Sequence, residues 1–517
     1  MKRIISLLLT FCLLATMMCL EIPSYADTSE YTYEVDGSGN AVLLRFTNRD
    51  NCGSEITVPS EIDGHPVTAI ASGCFFGLYE LEKLNLPQSV VSIEGSALAY
   101  TKLKSVTGCE NVLNVTEECF KNTPLLSAAK EQGELYFGKC LVATYAEKLG
   151  EEYTVKDGTE KIGYRAFACN STLKKVALPD GLKYIDDSAF FSMEALSDIT
   201  LPDGVESIGY SAFLGCSSLE KINIPSSVRF IGSAAFFECY NLNTITLAEG
   251  ITEISPESFE KCGVKDLTIP SSVKRIGHNA FFGCKQLEKL TVLGEVEFIG
   301  YGAFDSCKQL KEVSFSNSVK ELEGGTFASC SSLMDTDMVK NVEKMGYGVF
   351  SRCSFGPYFV IKNYMKTIPE QTFGGCENLN YVVIEDGVES IDVHAFAESR
   401  NLEYVVIPAS VTDIDPEAFA ETSDFFIIGE KGSRAESFAK ENQRDFLDVN
   451  DIKGDVDGDY LISVSDALYA LQAQVGTRIL DKRAFNAADI NNDGEITVSD
   501  ALYILQYAVG LRQTLYI

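Results

Sequence analysis

A phenylalanine recurs along this chain every 23 residues, at Phe167, Phe190, Phe213, Phe236 and Phe259. After one 22-residue step the series resumes at Phe281 and runs through Phe304, Phe327, Phe350, Phe373 and Phe396 to Phe419. Phe75, Leu98 and Phe120 begin the same series upstream. Neither a coiled coil nor an ordinary globular core has such a period. It calls for a solenoid of stacked coils, each adding one copy of the same buried side chain. The copy at residues 219–239 shows the parts. Ile222 and Ile224 alternate along a short strand and face inward. Pro225 ends that strand, because proline removes a ladder donor. Val228 and Ile231 return to the core, Gly232 is expected to permit a tight bend, and Ala235 and Phe236 plug the coil from the far side. One copy cannot bury these residues, but a stack of about fifteen makes a continuous core of short parallel strands.

Eight cysteines fall three residues after the repeated phenylalanine: Cys216, Cys239, Cys262, Cys284, Cys307, Cys330, Cys353 and Cys376. Identical placement in successive coils makes a column of small side chains with parallel vectors, which suits a disulfide poorly. A column also lacks the convergence of a tetrahedral metal site. The expectation is therefore buried free thiols with a packing role.

The pattern I-P-x-S-V-x-x-I-G-x-x-A-F-x-x-C at residues 224–239 and 269–284 resembles the bacterial BspA-like leucine-rich repeats. The resemblance covers roughly residues 30–445, from the Ile62–Val67 segment to a closing Gly432–Lys440 segment that looks like a capping helix. It implies a curved parallel-strand solenoid used for binding, and names no ligand. Between Phe120 and Phe167 the repeat text fails. An irregular repeat carrying a hairpin is expected there, with a protruding binding element as the alternative.

A different text follows. Asp455, Asp457, Asp459, the Leu461 carbonyl, Ser463 and Asp466 stand at places 1, 3, 5, 7, 9 and 12 of a loop that leads into an apolar helix. Thirty-four residues on, Asp489, Asn491, Asp493, the Glu495 carbonyl, Thr497 and Asp500 repeat the arrangement. Calcium takes six to eight oxygen ligands, and such twelve-residue loops supply them from these places. Magnesium requires a stricter octahedron and holds its water, so two calcium ions are the expected occupants.

Each loop closes on Asp where an EF-hand has Glu, and no helix-length segment precedes the first. This resembles the type I dockerins, small all-α calcium-folded modules that plug into cohesin domains of cellulosome scaffolds, and covers residues 454–511. The resemblance implies cohesin contacts at Val464, Ser465, Leu471 and Gln472, and again at Val498, Ser499, Leu505 and Gln506. Because the copies match there, either half could dock after a half-turn. One departure stands out: Tyr460 occupies the place where such a loop normally has Gly, which adopts φ > 0 cheaply. The first loop is accordingly expected to be strained and weaker for calcium.

Lys2 and Arg3, the apolar run from Ile4 to Leu20, and Ser24-Tyr25-Ala26 read as a secretory signal peptide cleaved after Ala26. Cleavage takes the net charge from −31 to −32, since two bases and one acid leave. So acidic a surface repels nucleic acid and anionic lipid. The expected organisation is signal peptide 1–26, repeats with cap 27–446, linker 447–453 and dockerin 454–517. The three histidines, His65, His278 and His394, are scattered, and no H-E-x-x-H or G-x-S-x-G motif is present. The repeats leave no room for a separate catalytic domain, and Trp, the usual sugar-stacking residue, is absent. The reading is a secreted non-catalytic binding protein carried on a scaffold in a polysaccharide-degrading setting. Its solenoid would hold a protein or polysaccharide. A docked glycoside hydrolase or peptidase and a free extracellular adhesin are the alternatives.

Overall fold

The computed structural model describes residues 30–512 apart from 316–318 and 335. The segment read as an export signal lies outside the described residues. The chain divides into two units, the first ending at Ile251 and the second starting at Thr252.

The first unit opens with an antiparallel pair, Tyr31–Val35 and Ala41–Phe46, to which His65–Ile70 and then Ser92–Ile93 add in parallel. Farther along, short strands pair parallel with the register Ile162↔Ile185↔Ile208↔Ile231. A second row joins Glu152–Thr154, Lys175–Ala177 and Asp198–Ile199. Each partner lies one coil on, so the sequence period is also the register. In the irregular stretch the expected hairpin is present, Glu134–Phe137 against Cys140–Thr144, and its second strand leads into the row by pairing with Lys161–Ile162. A helix not foreseen from the repeat text, α1 (Pro124–Gln132), precedes it. The Thr123 hydroxyl caps α1 by accepting from Leu126 N, and Gly133 ends it at φ 97°.

The phenylalanines form the core column. Phe167, Phe190, Phe213 and Phe236 stack with centroids 4.8–5.1 Å apart and rings within 8° of parallel. In the second unit the column runs from Phe259 through Phe281 to Phe419. The cysteines from Cys52 to Cys376 are free, and the eight of the column are buried. Their role exceeds packing. The thiols of Cys216, Cys284 and Cys330 each donate to a phenylalanine carbonyl of the preceding coil, Phe190, Phe259 and Phe304, at 3.2 Å. One coil past Cys376, Ser399 takes over the same bond, to Phe373 O at 2.9 Å. Burial pushes the thiols up, Cys216 and Cys284 to about 12, which keeps them protonated as donors.

Gly232 corrects an expectation. The bend's positive φ falls on Ala234, at 55°. Gly232 is needed because a Cβ there would stand 2.5 Å from Tyr210 N of the neighbouring coil. Close stacking, not the bend, excludes a side chain.

In the second unit the register Ile254↔Ile276↔Ile299↔Leu322↔Met345 continues the same plan. Its last sheet pairs Tyr358–Ile361, Tyr381–Ile384, Tyr404–Val406, Phe426–Gly429 and Phe446–Asp448, all parallel. Between the last two strands, α2 (Arg434–Glu441), capped by Ser433, buries Ala435, Phe438 and Ala439 where a closing helix was expected. The stretch read as a linker holds the end of the final strand and a 3-10 turn, Val449–Asp451. Three helices follow: α3 (Val464–Gln474), α4 (Lys482–Ala488) and α5 (Val498–Ala508). Val456, Ala467, Ala470, Ala484, Ala488, Ile490, Ala501 and Ile504 form their small core.

Candidate metal centre

Both acidic loops fold on one plan. In the first, Asp466 reaches back across the loop. Its Oδ1 accepts from Val456 N at 2.7 Å and Asp457 N at 3.1 Å, and its Oδ2 from Ser463 N at 2.7 Å. Asp455 Oδ1 accepts from Gly458 N at 2.8 Å, and Asp459 Oδ1 from Leu461 N at 2.8 Å. In the second, Asp500 Oδ1 accepts from Ile490 N at 3.0 Å, Asp489 Oδ2 from Gly494 N at 2.9 Å and Asp493 Oδ1 from Glu495 N at 2.9 Å. Asp455, Asp466 and Asp500 are wholly buried, and Asp489 is nearly so. A buried carboxylate is costly unless cations or hydrogen bonds compensate it.

The ligand atoms of Asp455, Asp457 and Asp459 lie within 4.8 Å of one another. Burial pushes the Asp455 carboxyl above its usual range against the pull of Arg483. Asp457 is pushed up to about 6 by burial and then by the charge on Asp466. Crowded acids, Asp455 wholly buried among them, with an all-oxygen donor set fit a hard divalent cation. The residues present therefore suit the calcium that the loop text implies.

Ser463 and Thr497, expected at ligand place nine, carry a second job. Each is the N-cap of the following helix in a reciprocal capping box with Asp466 or Asp500. The S-x-x-D and T-x-x-D spacing carried that signal. Of the residues implied for cohesin, Val464 and Val498 begin α3 and α5 and are 56% and 57% exposed. Leu471 is also exposed, whereas Leu505 packs against the small core.

The loops differ in their surroundings. Arg483 Nη1 stands 3.1 Å from Asp455 Oδ2 in the first. At the second, Lys453 Nζ donates to the carbonyls of Asn486 and Asp489, both at 2.6 Å. Tyr460 takes φ 69° where Gly494 takes φ 84°. Its side chain packs into a cluster built on Val383, Val406 and Ile428, joined by Tyr358, Val360, Tyr404, Val449 and Ile452. The Tyr358 hydroxyl donates to the Asp459 carbonyl at 3.0 Å. The first loop thus rests on the outer face of the last sheet.

Sequence reading missed this seat, although a signal existed. Lys221–Ile224, Thr244–Leu247 and Asp266–Ile269 read KINI, TITL and DLTI, with polar residues facing out. Tyr358–Ile361, Tyr381–Ile384 and Tyr404–Val406 read YFVI, YVVI and YVV. A strand apolar on both faces is covered on both faces.

The three histidines stand apart: His65 Nδ1 lies 2.8 Å from the Gly39 carbonyl, His394 Nε2 lies 3.3 Å from Glu417 Oε2, and His278 Nδ1 lies 2.9 Å from Glu323 Oε2 and 3.0 Å from the Tyr301 backbone N–H. No helix among the described residues is long and apolar enough to cross a membrane.

Among solved structures, a leucine-rich repeat protein from Bacteroides ovatus is 20% identical with a TM-score of 0.46, covering 82% of this chain and 99% of its own. A leucine rich cell surface protein from Faecalibacterium prausnitzii is 22% identical with a TM-score of 0.33, covering 80% and 96%. The pneumococcal vaccine antigen PcpA is 17% identical with a TM-score of 0.34, covering 82% and 98%. No curated protein matches. The family profile described as BspA type Leucine rich repeat region (6 copies) matches residues 49–133, 144–265, 252–358 and 357–428. The profile of the Dockerin type I domain matches residues 453–507. The chain belongs to the BspA-type leucine-rich repeat family and ends in a type I dockerin domain.

Proposed function

We propose that this chain is an exported, non-catalytic binding protein that its dockerin mounts on a cohesin-bearing, cellulosome-type scaffold. Two calcium ions fold the module. Asp455, Asp457, Asp459, the Leu461 carbonyl, Ser463 and Asp466 hold one, and Asp489, Asn491, Asp493, the Glu495 carbonyl, Thr497 and Asp500 the other. Cohesin then meets Val464, Ser465, Leu471 and Gln472, or Val498, Ser499, Leu505 and Gln506. The repeats present a protein or a polysaccharide to the assembly.

The observation that supports this best is the pair of exposed valines, Val464 and Val498, at matching places on α3 and α5. Two large apolar side chains held in water at helix starts suit a partner better than they suit a folding role. An acidic chain of net charge −31 disfavours nucleic acid or anionic lipid as that partner. Immobilised type I cohesins should retain the full chain in calcium and release it on chelation. Retention that ignores the chelator would contradict the reading, and release of product from plant-wall glycans or casein would contradict its non-catalytic part.

A further inference from the structure

The last sheet of the second unit differs from the earlier strands in what it shows to the outside. Where those strands carry Lys, Asn, Thr and Asp outward, it carries Tyr358, Val360, Tyr381, Val383, Tyr404 and Val406. Val383, Val406 and Ile428 are nevertheless buried. What covers them is the chain's own first acidic loop with its lead-in, through Tyr460, Val449 and Ile452. The contact also has a polar pin, the bond from the Tyr358 hydroxyl to the Asp459 carbonyl at 3.0 Å. Asp459 and Leu461 flank Tyr460, and both belong to the set proposed to hold calcium. Seating the tyrosine therefore fixes the backbone from which two ligands project. The second loop has Gly494 at the matching place and so no side chain there to seat.

We propose that this strand face is a built-in seat for the first calcium loop, with Tyr460 as its anchor, and that calcium in that loop and seating stabilise each other. The coupling is reciprocal: whatever unseats the loop lowers its calcium affinity, and removing calcium loosens the seat. The inference rests on the proposal that the loops hold calcium, and the test separates the two.

Hydrogen exchange of the full chain, followed across a series of free calcium concentrations, reads residues 455–466 and 489–500 separately. Val406→Lys changes the seat and touches no proposed ligand. It should raise the calcium midpoint for protection of 455–466 at least fivefold, the lower bound of ordinary coupling, and leave 489–500 where it was. Tyr358→Phe, which removes only the hydroxyl pin, should shift the same midpoint in the same direction by less, with the repeat strands protected as in the parent. In the parent, chelation should raise exchange of residues 446–452. Unchanged midpoints in both variants, or equal shifts at both loops, would overturn the coupling while leaving calcium binding intact. Protection that ignores calcium at both loops would overturn the calcium reading and the coupling with it.

Discussion

The two acidic loops carry nearly the same text thirty-four residues apart, yet one rests on the repeats through Tyr460 and the other has glycine at that place. Their electrostatic supports differ as well, a guanidinium on the buried Asp455 in the first and an ammonium on backbone carbonyls in the second. The comparison teaches that a residue which breaks a local rule has to be weighed with its neighbours. A non-glycine residue with left-handed φ costs about 1–2 kcal/mol. Burying a large apolar side chain returns about 1.5–3 kcal/mol. Tyr460 takes the left-handed φ of 69° expected from sequence, and its partly buried ring among Val383, Val406 and Ile428 returns part of that cost.

Removing calcium should blur the comparison most. Calcium at a thousandfold its Kd adds about 4 kcal/mol to a folded module. Chelation should therefore melt α3, α4 and α5 well below the repeats, as a loss of helical circular dichroism with the strand signal retained. A single transition with and without chelator would contradict this.

Gly494→Tyr breaks the comparison from the other side. The second loop would meet the same backbone cost without a seat, so its calcium affinity should fall about tenfold, the equivalent of about 1.4 kcal/mol. Tyr460→Gly should relieve φ but free the loop from the sheet, seen as faster exchange at residues 446–452. Equal tolerance of tyrosine in both loops would show that the seat does nothing.

Arg483→Gln gives the smallest effect. The guanidinium pairs with the buried Asp455 and would oppose a cation held by the same carboxylate. Its removal should tighten the first loop roughly two- to fivefold, within the scale of a partly exposed ion pair, and leave the second unchanged. Calorimetric calcium titration reads the difference.

The solenoid was legible because its information is one-dimensional. Phe167 to Phe419 recur once per coil, and the observed register is that interval turned into hydrogen bonds. The acidic loops were legible because six oxygen-bearing places at calcium-loop spacing fall within twelve residues. Features that depend on packing across coils were harder to read. At Gly232 the sequence suggests a bend, but the neighbouring coil's backbone is what excludes a Cβ. The column spacing marks the thiols as packing residues and does not show that they donate to carbonyls of the preceding coil. The strain at Tyr460 was legible, but its seat was not, because the face that receives it comes from strands roughly 30 to 100 residues earlier. The doubly apolar text of those strands marked a covered face without naming its cover.

The central claim is that calcium-folded α3 and α5 offer Val464-Ser465 and Val498-Ser499 to a cohesin. The most direct measurement is the affinity of an immobilised type I cohesin for the full chain and for the variant with Val464, Ser465, Val498 and Ser499 all changed to Asp. Acids at the first turn favour a helix, so the variant should keep its calcium-loaded helicity. Its affinity should fall at least a hundredfold, an effect of about 2.8 kcal/mol, while changing either pair alone leaves binding in place. Undiminished binding by the fourfold variant would contradict the account.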